Sequence, residues 1–143
     1  MADSDKNIAF EQMGGRAAIE RVTFAFYERI YDDPWLKQFF DDIPRDHIES
    51  QQNDFMQTAL GGPNRYSGKT PPSAHQHIYI TQEIYDAREA HLIAAFNECN
   101  TNELMIEKWL KVDETFHGRV VKKSKDECVM RYPSEGIRDI PKP

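Results

Sequence analysis

Cysteine is nearly absent: Cys99 and Cys128 are the two in 143 residues. That is too few for a disulfide framework, and they offer no zinc spacing. Basic surface is scarce as well. Eighteen Lys and Arg against 24 Asp and Glu leave a net charge of −6, without the basic stripe that suits a nucleic-acid partner. The one basic cluster, Arg119 to Lys125, falls near a helix end, where cations favour the dipole, and carries little functional weight. No apolar run approaches the ~20 residues that cross a bilayer. The polar, acidic Met1–Asn7 lacks the apolar core of a signal peptide. Strand-like alternation never lasts more than a few residues, and no internal repeat shows. These absences leave a soluble, cytoplasmic, single-domain protein with neither a nucleic-acid nor a membrane partner.

What is there is helical periodicity. After Gly14-Gly15, one stripe runs through Ile19, Val22, Phe26, Ile30 and Tyr31. It stops at Asp33-Pro34, since proline disfavours the helical region for the residue before it. Trp35-Leu36 and Phe39-Phe40 make a short apolar knot. Pro44 with Asp46 opens a second helix, striped by Ile48, Gln52, Phe55, Met56 and Leu60. Thr81 is the expected cap of a third, which carries Ile84, Ala87, Arg88, His91, Leu92 and Phe96. Thr101 or Asn102 caps a fourth, through Met105, Trp109, Val112, Phe116 and Val120. The domain spans residues 1–125; the proline-bearing extension 126–143 lacks periodicity and is expected to be irregular.

Between the second and third helices lies a loop of unusual length. It contains Gly61-Gly62-Pro63, Tyr66-Ser67-Gly68, Pro71-Pro72 and then Ser73-Ala74-His75-Gln76-His77. Loops of that size in compact domains tend to be functional or disordered, and this one carries histidine into the middle of the chain. His75 and His77 stand two apart and cannot chelate one ion from a helix. A di-iron bundle needs paired Glu-x-x-His motifs, and Glu114 to His117 is a single copy. One ligating imidazole among aromatic and aliphatic stripes suits haem, whose macrocycle supplies the other four nitrogens.

Polar side chains on the apolar stripes point the same way. Tyr27, Gln52, Arg88 and His91 would each be costly to bury without a partner. Taken singly, each is most simply a hydrogen-bonded core residue, and for His91 that reading wins. Tyr27 and Gln52 together are better explained by one shared polar ligand. Arg88 can lay its stem on apolar surface while its head reaches water or an anion.

From Phe10 to Ser124 the chain resembles the truncated haemoglobins, most closely the first of their three groups. Met13-Gly14-Gly15 resembles the glycine pair after the stunted first helix. Phe26-Tyr27-Glu28-Arg29 resembles the family's Phe-Tyr-x-Arg, and Phe39-Phe40 its haem-packing phenylalanines. Gln52 falls where many members have a distal glutamine. Ala59 to Pro63, Tyr66-Ser67-Gly68 and Ala74-His75-Gln76 match the loop and the proximal histidine. The resemblance implies an all-α, two-over-two helical sandwich around haem. His75 would be the iron ligand, Phe40, Ile48, Tyr66 and Ile80 would contact the macrocycle, and Tyr27 with Gln52 would bond the ligand. Ile48 takes the position of the distal histidine of longer globins, while His47 and Gln51 place no histidine where cyanobacterial relatives use one as a sixth ligand.

Three residues depart from the family pattern. Arg88 replaces an aliphatic residue that faces the haem, and Met56 an aromatic one associated with a ligand tunnel. His117 approximates, with a one-residue gap, a histidine that some members attach to a haem vinyl; a helix-surface histidine is the simpler reading. The implied function is binding of dioxygen and other diatomic ligands. Nitric oxide dioxygenation is the alternative, and it needs a separate reductase, because the chain has no flavin or nicotinamide motif. A cofactor-free helical interaction domain is the third.

Overall fold

The structure, a computed structural model, describes residues 2–143, with side chains from Asn7 onward. Met1, the first residue of the polar opening segment, lies outside the described residues. Among the described residues there are six α-helices: α1 Ala2–Gln12, α2 Gly15–Asp32, α3 Arg45–Ala59, α4 Pro71–Ala74, α5 Gln82–Glu98 and α6 Glu103–Val120. Two 3₁₀ turns, Leu36–Phe40 and Lys125–Glu127, complete the regular structure. Among the described residues no helix is long and apolar enough to cross a membrane.

Local chemistry sets the helix ends. Asp33, ahead of Pro34, sits at φ −85° and ψ 117°, in the extended region to which a following proline drives it. Its carboxylate then accepts the N–H groups of Trp35 at 2.8 Å and Leu36 at 3.0 Å, so the residue that ends α2 also caps the Leu36–Phe40 turn. Thr81 caps α5 by accepting the Ile84 N–H at 3.2 Å, and Asn102 caps α6 by accepting that of Leu104 at 2.8 Å. Gly14 stands at φ +119° between α1 and α2, a conformation open to glycine and strained for other residues.

Helix α2 lies at the centre, packed against both α3 and α5. Its buried face, Ile19, Val22, Phe26 and Ile30, joins Met56 of α3, Leu92 and Phe96 of α5 and Met105 and Trp109 of α6 in one core. Phe96 and Trp109 meet edge to face at 5.4 Å, which fastens α5 to α6. The first helix, which periodicity alone did not mark, contributes Phe10 at 1% exposure. A Cβ on Gly62 would lie 2.7 Å from that ring, so the glycine makes room for α1 to dock where the long loop leaves α3. Gln57 secures the same departure, donating to the Pro63 carbonyl at 2.8 Å and accepting the Gly62 N–H through its own carbonyl at 2.9 Å.

Around this core lies a second tier of half-buried apolar residues, among them Phe39, Phe40, Ile48, Phe55, Ile80 and Val112. They come from four different segments and are packed inward while keeping one side accessible. That tier borders the long loop.

Candidate functional site

The long loop contains one turn of helix. Pro71 and Pro72 fill the first positions of α4, where proline's missing N–H costs nothing, and the turn ends at His75. The Pro71 carbonyl receives two bonds from His75: its backbone N–H at 3.1 Å and its ring Nδ1–H at 2.6 Å. With Nδ1 protonated and donating, Nε2 carries the lone pair. No hydrogen bond reaches Nε2 among the described residues. Burial pushes the imidazole pKa below its usual value against the Pro71 bond, and the charges of Arg88 and Lys122 add to the fall. His75 is therefore a neutral imidazole with a free Nε2, the form in which histidine binds a metal.

The segment after His75 is held by the end of the chain. Lys122, only 7% exposed, donates from Nζ to the carbonyls of His75 and Ile78, each at 2.8 Å, and of Val120 at 3.1 Å. Its backbone N–H takes the Ile80 carbonyl at 2.8 Å. Beyond it, the Val129 N–H bonds Gln76 O at 2.7 Å, and Arg138 exchanges two bonds of 2.9 Å with His77 O and Tyr79 N–H, forming a parallel bridge at Ile78. The Trp35 indole donates to Ile140 O at 2.9 Å, and the Arg138 guanidinium to Gln38 O. The extension is irregular and nonetheless anchored.

Tyr27 projects from α2 with 5% exposure. Its ring meets Phe26 at 4.9 Å, Phe40 at 5.8 Å and Tyr31 at 6.3 Å, each edge to face. Its hydroxyl has no hydrogen bond among the described residues, and burial holds its pKa well above the ordinary phenol value, so it is a neutral donor. Gln52 is half-buried on α3, and its amide likewise has no protein partner among the described residues. Phe40, Ile48 and Ile80 belong to the half-buried apolar tier. Tyr66 is more committed than the sequence implied: its hydroxyl donates to Lys69 O at 2.5 Å, and its ring meets Phe55 at 5.2 Å. Phe55 in turn faces Phe116 at 6.2 Å.

The remaining polar stripe residues find partners. His91 Nε2 pairs with Asp33 at 2.7 Å, and His117 pairs with Gln82 at 2.7 Å while packing against Tyr85 at 4.6 Å. His77 lies under the extension, 4.0 Å from Glu135. Arg88 bridges α5 and α6: its guanidinium donates to Asp113 at 2.8 Å and to the adjacent Glu89, and rests over the Phe26 ring at 5.1 Å. Burial pushes the Glu89 carboxyl up to about 7; Arg88 opposes that rise and Asp113 adds to it.

The family model for bacterial-like globins matches residues 8–122. The chain belongs to the group 1 truncated haemoglobin family. The Group 1 truncated hemoglobin of Tetrahymena thermophila is 33% identical over 105 residues, 73% of this chain and 87% of the relative. That of a Synechocystis species is 30% identical over 101 residues, 68% of this chain and 82% of the relative. Among solved structures, the Fe(III) truncated hemoglobin of Tetrahymena pyriformis superposes with a TM-score of 0.71 at 32% identity, covering 80% of this chain and 97% of that one. The 2/2 hemoglobin of a Synechococcus species, described with covalently attached heme, gives 0.68 at 26% identity over 77% of this chain and 93% of that one. The fold is the all-helical two-over-two globin.

Membership in a haemoglobin family implies haem, and the donor set of this truncated haemoglobin fits it. It has one neutral imidazole with a free nitrogen, and Ile80, five residues further on, belongs to the half-buried apolar tier. Among the described residues no group of three His, Cys, Asp or Glu side chains could hold a bare metal ion. In the sequence Lys122 looks like an ordinary cation at a helix end; its visible signal is that it falls just past α6, where the last carbonyls need donors. Phe55 was recognised as part of the α3 stripe without a role, and Asp113, four residues before His117 on a charged face, gave no sign that it would meet Arg88.

Proposed function

We propose that this truncated haemoglobin binds haem through His75 Nε2 and holds dioxygen, or another small diatomic ligand, with Tyr27 and Gln52. The observation that carries the reading is the state of His75: Nδ1 is spent on Pro71 O at 2.6 Å, which fixes the tautomer and leaves Nε2 as the donor. A backbone acceptor on the far nitrogen orients a ligating imidazole and raises its basicity. Haem, when bound, would supply an iron able to take His75 and a small diatomic ligand.

The chain's own part is to hold and select. Phe40, Ile48 and Ile80 offer apolar surface to the macrocycle, and Tyr66, with its hydroxyl held by Lys69 O, walls the loop side. The Tyr27 hydroxyl and Gln52 amide are donors without protein partners, so both can point at a ligand that gathers negative charge. In an apolar, low-dielectric setting such bonds are stronger than in water. One solved structure of the Tetrahymena pyriformis protein carries a tyrosine-to-phenylalanine replacement, and two others carry glutamine-to-glutamate replacements at two different positions. The tyrosine and the later glutamine are as far apart in that chain as Tyr27 and Gln52 are here, while the earlier glutamine has the spacing of Ile48.

The test is an absorption spectrum of the purified protein with and without reductant and carbon monoxide. A strong Soret band that shifts with carbon monoxide is expected, and His75→Ala should abolish normal haem loading. Haem retained in the alanine variant with unchanged spectra refutes the assignment of His75.

A further inference from the structure

We propose that Lys122, together with the extension that follows it, positions His75, so that the segment beyond the globin match is a working part of the haem site. This rests on the reading of His75 as the residue that would hold the haem iron. The reason lies in where the backbone polar groups of residues 75–80 go. His75 O and Ile78 O accept the Lys122 ammonium, Gln76 O accepts Val129 N–H, and His77 O accepts Arg138 N–H. Tyr79 N–H is donated to Arg138 O, and Ile80 O accepts the Lys122 N–H. Six consecutive residues thus each have a backbone group held by the chain that follows α6.

A cation at a helix end ordinarily serves its own helix. Lys122 spends one bond there, on Val120 O, and two on carbonyls 44 and 47 residues earlier. Its ammonium is buried, and no carboxylate forms a salt bridge with it among the described residues. Three carbonyl dipoles converge on one ammonium, which fixes them relative to each other. One of those carbonyls belongs to His75 itself, so the backbone that carries the imidazole is held at its carbonyl by Lys122 as well as at its N–H by Pro71 O. The extension continues the clamp as a parallel pairing, in the way an added strand satisfies an open backbone edge. Its far end reaches the turn that carries Phe39 and Phe40 through Arg138 to Gln38 O and Trp35 to Ile140 O.

The full-length haem-loaded protein tests this with three variants. Lys122→Met keeps the stem and removes the donors; haem release to an excess of an apoglobin acceptor should quicken at least about tenfold, as the loss of charge-assisted bonds to buried carbonyls implies. The iron–histidine stretching band of the reduced, ligand-free protein, read by resonance Raman, should shift and broaden. Lys122→Arg, which can still donate, should restore the band. Val129→Pro removes the N–H that bonds Gln76 O. It leaves the core untouched, since Val129 is 56% exposed and Cys128 already has extended backbone at φ −82° and ψ 147°. It should move the band the same way by less, and it tests the extension if Lys122→Met fails to fold. A lowered melting temperature with an unchanged band in Lys122→Met makes the lysine merely structural and overturns the proposal. An unchanged band in Val129→Pro removes the extension's share. A wild-type protein without a Soret band overturns the underlying haem reading instead, so the two failures are told apart.

Discussion

Tyr27→Phe separates a group kept for a ligand from one kept for the fold. The substitution removes one oxygen and leaves the ring, whose contacts with Phe26, Phe40 and Tyr31 at 4.9, 5.8 and 6.3 Å are all edge to face and do not involve the hydroxyl. Because that hydroxyl has no bond within the described protein, its loss breaks nothing there. The hydroxyl oxygen is not among the buried polar atoms left without a partner, so water can satisfy it in the apoprotein, and the phenylalanine apoprotein should match the wild type in stability to within about 1 kcal/mol. The ligand should feel the loss. One good hydrogen bond to a charge-bearing atom is worth about 1.5 kcal/mol or more, which corresponds to dioxygen leaving at least about tenfold faster. The dissociation rate is read by stopped-flow displacement with carbon monoxide, and apoprotein stability by urea unfolding. The rate must change while the apoprotein's stability does not. An unchanged rate removes Tyr27 from ligand binding, and an apoprotein weakened by more than about 1 kcal/mol shows that the hydroxyl is bonded inside the protein.

Two further outcomes concern pH and the helix junctions. Burial raises the Glu89 carboxyl to about 7, above its value in an unfolded chain. The folded state therefore binds the extra proton, and apoprotein stability should decline as pH rises from about 5 to 8; Glu89→Gln should flatten that decline in urea titrations, and an unaltered slope refutes the assignment. For Asp33, burial favours protonation, but the bonds from His91 and from the Leu36 and Trp35 N–H groups outweigh it, and the net pKa is lowered. The stability it contributes is full above the unfolded carboxylate pKa near 4 and is lost as pH falls through the lower folded value. Asp33→Asn should cost about 1–2 kcal/mol at neutral pH, a gap that closes in strong acid; a gap that persists there argues against the ionic part of the cap.

Much of this architecture is legible in the order of residues because it depends on short-range rules. Pro34 forces Asp33 out of the helix, and Thr81 and Asn102 have side chains that cap the N–H groups just after them. Tyr27 and Gln52 stand out because an unpartnered donor on an apolar stripe is an anomaly in any fold. The α1 helix is harder to see, since its stability comes from Phe10 inserted beside Gly62 rather than from an apolar stripe of its own. One turn of helix at Pro71–Ala74 is likewise too short to leave a period.

By itself the sequence determined the four long helices, the Thr81 cap and the glycine-marked loop between the second and third of them, because capping, proline geometry and periodicity act over a few residues. Only the tertiary structure decided which distant groups meet. Lys122 becomes a clamp rather than a surface cation because the end of α6 arrives beside residues 75–80 and their carbonyls need donors. Arg88 becomes an inter-helix bridge because α5 and α6 pack so that Asp113 faces it at 2.8 Å. The extension finds its place because residues 76–79 leave a backbone edge that must be satisfied, and a buried polar group takes whichever partner the fold brings within 3 Å.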